Sequence, residues 1–278
     1  MQRSFTRFIG VDLGGGRGKT TAVAELRIAA AGGAEVVEVA TRSNRQPWND
    51  DTLMGRLAER RDPAVVIAID APLTQTACGR CERPVCPGME DCADPAVVWL
   101  RTTGRGLVRK VAAQTVNAGP RTPPMAQARL APYAHRATDV VMTYERGLLP
   151  PTALGAPSGA VAARASQLRR RLRGAGYQLH DSLIEVSPAA TIAALCGPRI
   201  ARNYKRDADP WRTRAMILEQ LTDLTFAPQS RMAREEVLGN DHCFDAVISG
   251  YTAYRWTVDG WEGPEGIFAD DGWIVAPP

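Results

Sequence analysis

The sequence predicts an α/β domain built on a mixed sheet, from three observations. Residues 8–42 alternate apolar and polar positions in three runs separated by glycine-rich turns, the pattern of a strand meander. Residues 65–70, VVIAID, form a continuous apolar run of the kind buried on both faces of a sheet. Helical periodicities then alternate with a further short strand at 182–186.

The first strand, within FIGVDLGGGRGKTTAVAEL (residues 8–26), delivers Asp12 to its end before a glycine-rich turn. Two chemistries suit that arrangement. A phosphate-cradling loop would need a glycine five residues before the Gly18-Lys19-Thr20 triplet, where the chain has Leu13, a residue without the needed backbone freedom. A hairpin turn that leaves Asp12 as the first ligand of a divalent cation fits better. The third strand of the meander is 34–41, and a helix at 50–61 is capped by Asn49 or Asp50. The run 65–70 ends on a second acid, Asp70, and Ala71-Pro72 stops it.

Residues 73–157 are rich in proline and glycine with poor periodicity, and they read as an insertion over the C-terminal edge of the sheet. A helix resumes at 158–174, with Val161, Leu168 and Leu172 as its buried stripe and Arg164, Arg169, Arg170, Arg171 and Arg173 around it. The strand at 182–186 carries a third acid, Glu185, and Ser187-Pro188 opens a helix over 189–195. Asp209-Pro210 caps a helix over 211–224, and Asn240 caps the last long helix, 240–256. Residues 266–275 read as a terminal strand pair.

At 278 residues with 45% apolar content the chain can build a full core, and it reads as a single domain over 1–278. A net charge of +4 permits a nucleic-acid partner without requiring one. No run reaches membrane-spanning length, so a soluble cytoplasmic protein is the expectation. The five arginines on the helix at 158–174 could follow a phosphate backbone, although a solvated helix face is the simpler account.

The chemistry concentrates in acids. Asp12, Asp70 and Glu185 lie in or at the ends of strands, while Asp241, His242 and Asp245 share the first turns of a helix at i,i+3 and i,i+4 spacing. Each alone has an ordinary explanation as a turn residue, a cap or a dipole partner. Together, on neighbouring strands, they would repel one another unless divalent cations bridged them, and oxygen-rich sites suit Mg²⁺ or Mn²⁺. Two such ions would activate a water and stabilise the leaving oxygen in phosphodiester cleavage.

Cys78-x2-Cys81-x4-Cys86-x5-Cys92 is a second metal candidate, a knuckle at 78–92 inside the insertion. Four thiolates so close in sequence suit a structural Zn²⁺, and the spacing also admits an iron–sulfur cluster. Cys196 and Cys243 read as lone buried thiols.

The blocks FIGVDLGGG and KTTAVAEL, VVIAIDAPL, LIEVSPAAT, NYK followed by Arg214, NDHCFDAVISGYTA and GWIVAPP resemble those of the predicted-nuclease family catalogued as domain of unknown function 429, within the ribonuclease H-like superfamily. The resemblance covers the chain apart from its middle insertion. It implies a ribonuclease H-like sheet of five strands, three antiparallel followed by two parallel, with helices on both faces and the cysteine-rich insertion after the fourth strand. It implies metal ligands at Asp12, Asp70 and on the last helix, where His242-x-x-Asp245 is similar to the closing motif of Holliday-junction resolvases. Glu185 and Lys205 match positions of the narrower family, and Lys205 could hold a scissile phosphate. The expected function is a divalent-metal-dependent nuclease. Two alternatives stand beside it: an actin-like nucleotide-binding ATPase or phosphotransferase using the Gly14 to Lys19 turn, and a non-catalytic nucleic-acid-binding module.

Overall fold

The computed structural model describes residues 3–15, 19–58, 62–116, 129–148, 159–230 and 232–278. Strands β1 (Arg7–Asp12), β2 (Ala22–Ile28) and β3 (Ala34–Ala40) make the antiparallel meander. A small ribbon of β4 (Arg42–Ser43) and β5 (Gln46–Pro47) and helix α1 (Asp50–Ala58) lead to β6 (Val65–Asp70), which pairs with β1 in parallel. The insertion contributes α2 (Pro95–Trp99), α3 (Arg105–Val116) and α4 (Ala137–Tyr144), with a π-helical turn between the first two. Helix α5 (Gly159–Gly174) precedes β7 (Leu183–Val186), which lies parallel to β6. Helices α6 (Pro188–Cys196), α7 (Pro198–Asn203) and α8 (Pro210–Gln220), strand β8 (Leu224–Phe226), helices α9 (Arg234–Gly239), α10 (Asp241–Asp259) and α11 (Phe268–Asp271), and strand β9 (Ile274–Val275) follow.

The sheet has seven strands, in the order β8-β3-β2-β1-β6-β7-β9, where the sequence predicts five. The two additions are short edge strands, β8 parallel to β3 and β9 parallel to β7. Segments of two or three residues cannot display a two-residue period, so edge pairing rather than patterning makes them strands. The helix expected to reach Leu224 stops at Gln220, because Leu221 leaves helical geometry at φ −88 and ψ 70, and Leu224 opens β8. The expected terminal strand pair is instead α11 followed by the single strand β9.

Alternation along the strands fills both faces. Phe8, Val66, Ala68, Ile184 and Val186 join a core with Phe244, Ile248 and Tyr251 of α10. Ile9, Val11, Ile67 and Ile69 pack on the opposite face with Leu53 and Leu57 of α1 and Leu168 and Leu172 of α5. That double burial is why β6 reads as one unbroken apolar run. Each fully buried large side chain contributes roughly 1.5–3 kcal/mol. No helix among the described residues is long and apolar enough to cross a membrane.

Candidate metal centre

Asp12 and Asp70 stand side by side because β1 and β6 run parallel with Asp12 directly paired to Asp70. The side-chain period of two fixes their direction. Phe8 and Val66 face α10, so Gly10 and Ala68, and then Asp12 and Asp70, lie on the same face. Helix α10 supplies the third acid, Asp245. Its N-terminus is held by Asn240, whose Oδ1 accepts from the His242 and Cys243 N–H groups at 3.0 and 3.3 Å.

The helix reaches the strand because two side chains are missing. A Cβ on Gly10 would lie 2.0 Å from the Ala246 carbonyl oxygen and 2.3 Å from the Gly250 nitrogen, and a Cβ on Gly250 would lie 2.5 Å from Leu26 Cδ1. Backbone therefore packs against backbone. One consequence is that Asp12, Asp70 and Asp245 each offer a carboxylate oxygen within 4.8 Å of the others.

Three carboxylates at that spacing repel strongly. A pair of unit charges 4.8 Å apart interacts by roughly 3 kcal/mol at an effective dielectric constant of ~20. Burial, then the Asp12 and Asp245 charges, push the Asp70 carboxyl well above the usual carboxylate range. Burial likewise raises Asp245, to about 6, against the opposing pull of the Lys205 ammonium. Asp245 is fully buried; its Oδ1 accepts from the Tyr204 hydroxyl at 2.9 Å, and its Oδ2 ion-pairs with Lys205. Among the described residues no donor bonds to Asp70. His242 Nδ1 lies 2.5 Å from Asp12 Oδ2, and this hydrogen bond raises the His242 pKa. Burial lowers the Lys205 pKa, but Asp245, Asp70 and Asp12 outweigh it and keep the ammonium charged.

The donor set fits a hard divalent cation. It is all oxygen, it carries excess negative charge, and among the described residues its Asp70 carboxylate has no hydrogen-bond donor. Tyr204 and Lys205 follow α7, and their backbone is braced by buried Arg214, whose Nε donates to the Tyr204 carbonyl at 3.3 Å and whose guanidinium also donates to the Leu238 carbonyl at 2.6 Å. The role of Tyr204 carries no signal in the sequence pattern beyond its place beside Lys205.

Glu185 is not brought into this group. It pairs with Ile69 rather than Asp70, so strand parity turns it to the opposite face of the sheet. There the buried Arg136 guanidinium donates to both its carboxylate oxygens, at 2.7 and 2.8 Å, and the Leu73 N–H adds a bond of 2.8 Å. Burial still raises the Glu185 pKa, with Arg136 opposing the rise. Asp241 sits in the first turn of α10 outside the triad, where a helix-dipole role suffices.

The four cysteines of the predicted knuckle are free thiols, three exposed and Cys92 half-buried. No three of their sulfurs lie within 4.8 Å of one another. Burial raises the Cys78 pKa, and Cys86, Cys81 and Cys92 add to the rise. Cys243 is buried, and Cys196 is only half-buried. Gly16 to Gly18 of the glycine turn lie outside the described residues. At the base of that turn, Gly14 N–H donates to Thr21 Oγ1 at 3.0 Å and the Gly14 carbonyl accepts from Arg164 at 2.6 Å.

No curated protein and no solved structure matches the chain significantly. A family model does match, over residues 10–266, spanning both strand acids and the α10 motif. The chain therefore belongs to the family described as protein of unknown function (DUF429).

Proposed function

We propose that this chain is a divalent-metal-dependent nuclease with a ribonuclease H-like fold, hydrolysing phosphodiester bonds in DNA or RNA. The observation that carries the reading is the convergence of Asp12, Asp70 and Asp245 from three separate elements to within 4.8 Å. The fold supports it: β3-β2-β1-β6-β7, three antiparallel strands followed by two parallel ones, is the arrangement that the superfamily resemblance implies.

Asp12, Asp70 and Asp245 would hold Mg²⁺ or Mn²⁺. When bound, such ions supply an activated water and charge stabilisation at the leaving oxygen. The protein's own groups set the stage. Tyr204 fixes the Asp245 carboxylate by donating to Oδ1, and burial, then the Asp245 charge, keep its hydroxyl protonated by pushing its pKa up. Lys205 lies against Asp245 with a partly exposed side chain, which places a cation where a phosphate oxygen would approach. His242 orients Asp12 through Nδ1 and leaves Nε2 to carry an exchangeable proton.

The test is cleavage of end-labelled single- and double-stranded DNA and RNA with Mn²⁺ or Mg²⁺. Metal-dependent products are expected, with Asp70→Asn lowering the rate by more than about 100-fold. Wild-type protein that cleaves none of these substrates with either ion, or Asp70→Asn that cleaves as fast as wild type, would overturn the reading.

A further inference from the structure

We infer that the cleft lined by Lys19, Arg42, Trp48 and Arg164 is a nucleotide-binding subsite, stacking one base on Trp48 and holding its phosphate with Lys19 and Arg42. This deepens the nuclease reading and rests on it for the choice of a nucleotide as ligand. The cleft has a volume of about 780 Å³, in the range that encloses a nucleotide-sized molecule. Asn240, which caps α10 by accepting from the His242 N–H, lines the cleft, and the His242 ring bonds Asp12. Ligand in the cleft is thereby placed beside the acidic centre.

Three features suit a nucleotide. The first is charge. Arg164 lines the cleft but is committed: its guanidinium donates to Asp50 and the Gly14 carbonyl at 2.6 Å each, and to Thr21 Oγ1 at 2.9 Å. That pairing neutralises Asp50, the one acid of the lining, and leaves Lys19 and Arg42 exposed with no ion pair among the described residues. The balance is positive by two, beside a centre that is strongly negative.

The second feature is a fixed aromatic wall. The Trp48 indole N–H donates to the Ala40 carbonyl at 3.0 Å, and the ring packs against the core that includes Leu53 while also lining the cleft. A half-buried indole locked in this way is a stacking platform for a base that has left its partner. The third feature is the ribbon that carries Arg42: its two strands put Arg42 and Pro47 into the cleft wall, and its turn holds Asn44 and Arg45 at positive φ, 49 and 68. The shared chemistry is a base with its phosphate, supplied either by a free nucleotide or by one unit of a single strand.

Fluorescence anisotropy in an Asp70→Asn background, which blocks turnover without touching the cleft, tests the assignment. The probes are a fluorescein-labelled 12-nucleotide single strand and its duplex, with ATP–Mg²⁺ as competitor. Trp48→Ala is expected to weaken single-strand binding about tenfold, and Trp48→Phe to restore most of it. The Lys19→Ala/Arg42→Ala pair, both exposed and harmless to the core, is expected to weaken it about tenfold and to reduce the salt slope by about 1.4. Competition by ATP assigns the subsite to free nucleotide; its failure to compete assigns the subsite to a unit of the strand. Unchanged affinity in both sets of variants, or duplex binding that is tighter and independent of Trp48, overturns the subsite. Wild-type protein that cleaves nothing while Trp48-dependent binding persists removes the hydrolysis reading alone. Cleavage indifferent to Trp48, Lys19 and Arg42 removes the subsite alone.

Discussion

Two buried clusters of carboxylates lie one strand apart on this sheet, and they are opposites. On one face Glu185, Asp139 and Asp271 offer six carboxylate oxygens, and every one accepts a hydrogen bond: from Arg136, from Arg80, or from the backbone N–H groups of Leu73, Arg136 and Ala137. On the other face Asp12, Asp70 and Asp245 share one lysine, one histidine and one tyrosine among the described residues, and no donor bonds to Asp70. The first cluster fastens the insertion and the C-terminal segment to β7, since Arg136 and Asp139 flank the start of α4 and Asp271 ends α11. The second holds like charges together with fewer counter-charges. Satisfied charge marks architecture here, and the proposed chemistry falls where charge is least satisfied.

The comparison is sharpest where one residue is removed from each side. Arg136→Met should destabilise the protein by about 3–5 kcal/mol, because it strands buried carboxylates without their counter-charge. Urea unfolding measures the loss; a change within 1 kcal/mol would mean that the network is not holding the insertion.

Gly10→Ala tests how the second cluster is assembled. The added Cβ meets the α10 backbone, so a loss of about 1–3 kcal/mol is expected, together with weaker Mn²⁺ affinity as Asp245 is moved away from Asp12. Isothermal titration with Mn²⁺ on the folded variant checks the second half, and unchanged affinity would uncouple the glycine contact from the site.

Asp70→Asn should have the opposite sign to Arg136→Met. Removing one of three mutually repelling carboxylates is expected to stabilise the metal-free protein by roughly 1 kcal/mol while erasing the Mn²⁺-induced rise in melting temperature. A destabilised metal-free variant would contradict the reading of this cluster as electrostatically frustrated.

The smallest effect is in pH. Asp245 and Asp70 have folded pKa values above their unfolded ones, so the folded state binds more protons, and stability falls as pH rises from about 4 through about 6 and beyond. The raised His242 adds in the same sense, its contribution being lost as pH passes its folded value. Without metal the melting temperature should therefore be lower at pH 8 than at pH 5, by of order 1 kcal/mol in stability, and Mn²⁺ should recover more at pH 8. A rise with pH in the absence of metal would reverse the sign and sink the account.

Much of this was legible in the sequence, for identifiable reasons. Asp12 and Asp70 stand out because long apolar strands end on them, and Asp245 because helical spacing relates it to His242 and Asp241. What the spacing leaves open is which of Asp241 and His242 turns inward; the structure joins His242 to Asp12. Glu185 looks like its fellow strand acids until register is known, since a one-residue offset against β6 decides its face. Its partner Arg136 lies 49 residues away in a segment without periodicity, so no pattern links them. The β4–β5 ribbon escapes notice for a local reason: its turn is Asn44-Arg45 rather than Asn-Gly, and its strands are two residues long.

The contact between Gly10 and Gly250 has a temporal consequence. Two of the three acids are present once β1 and β6 have paired, but the third comes from α10, 175 positions after Asp70, and reaches its place only when that helix docks on β1. A chain emerging from the ribosome therefore carries only part of the centre through most of its synthesis. The three-acid cluster is complete only once α10 has packed against β1.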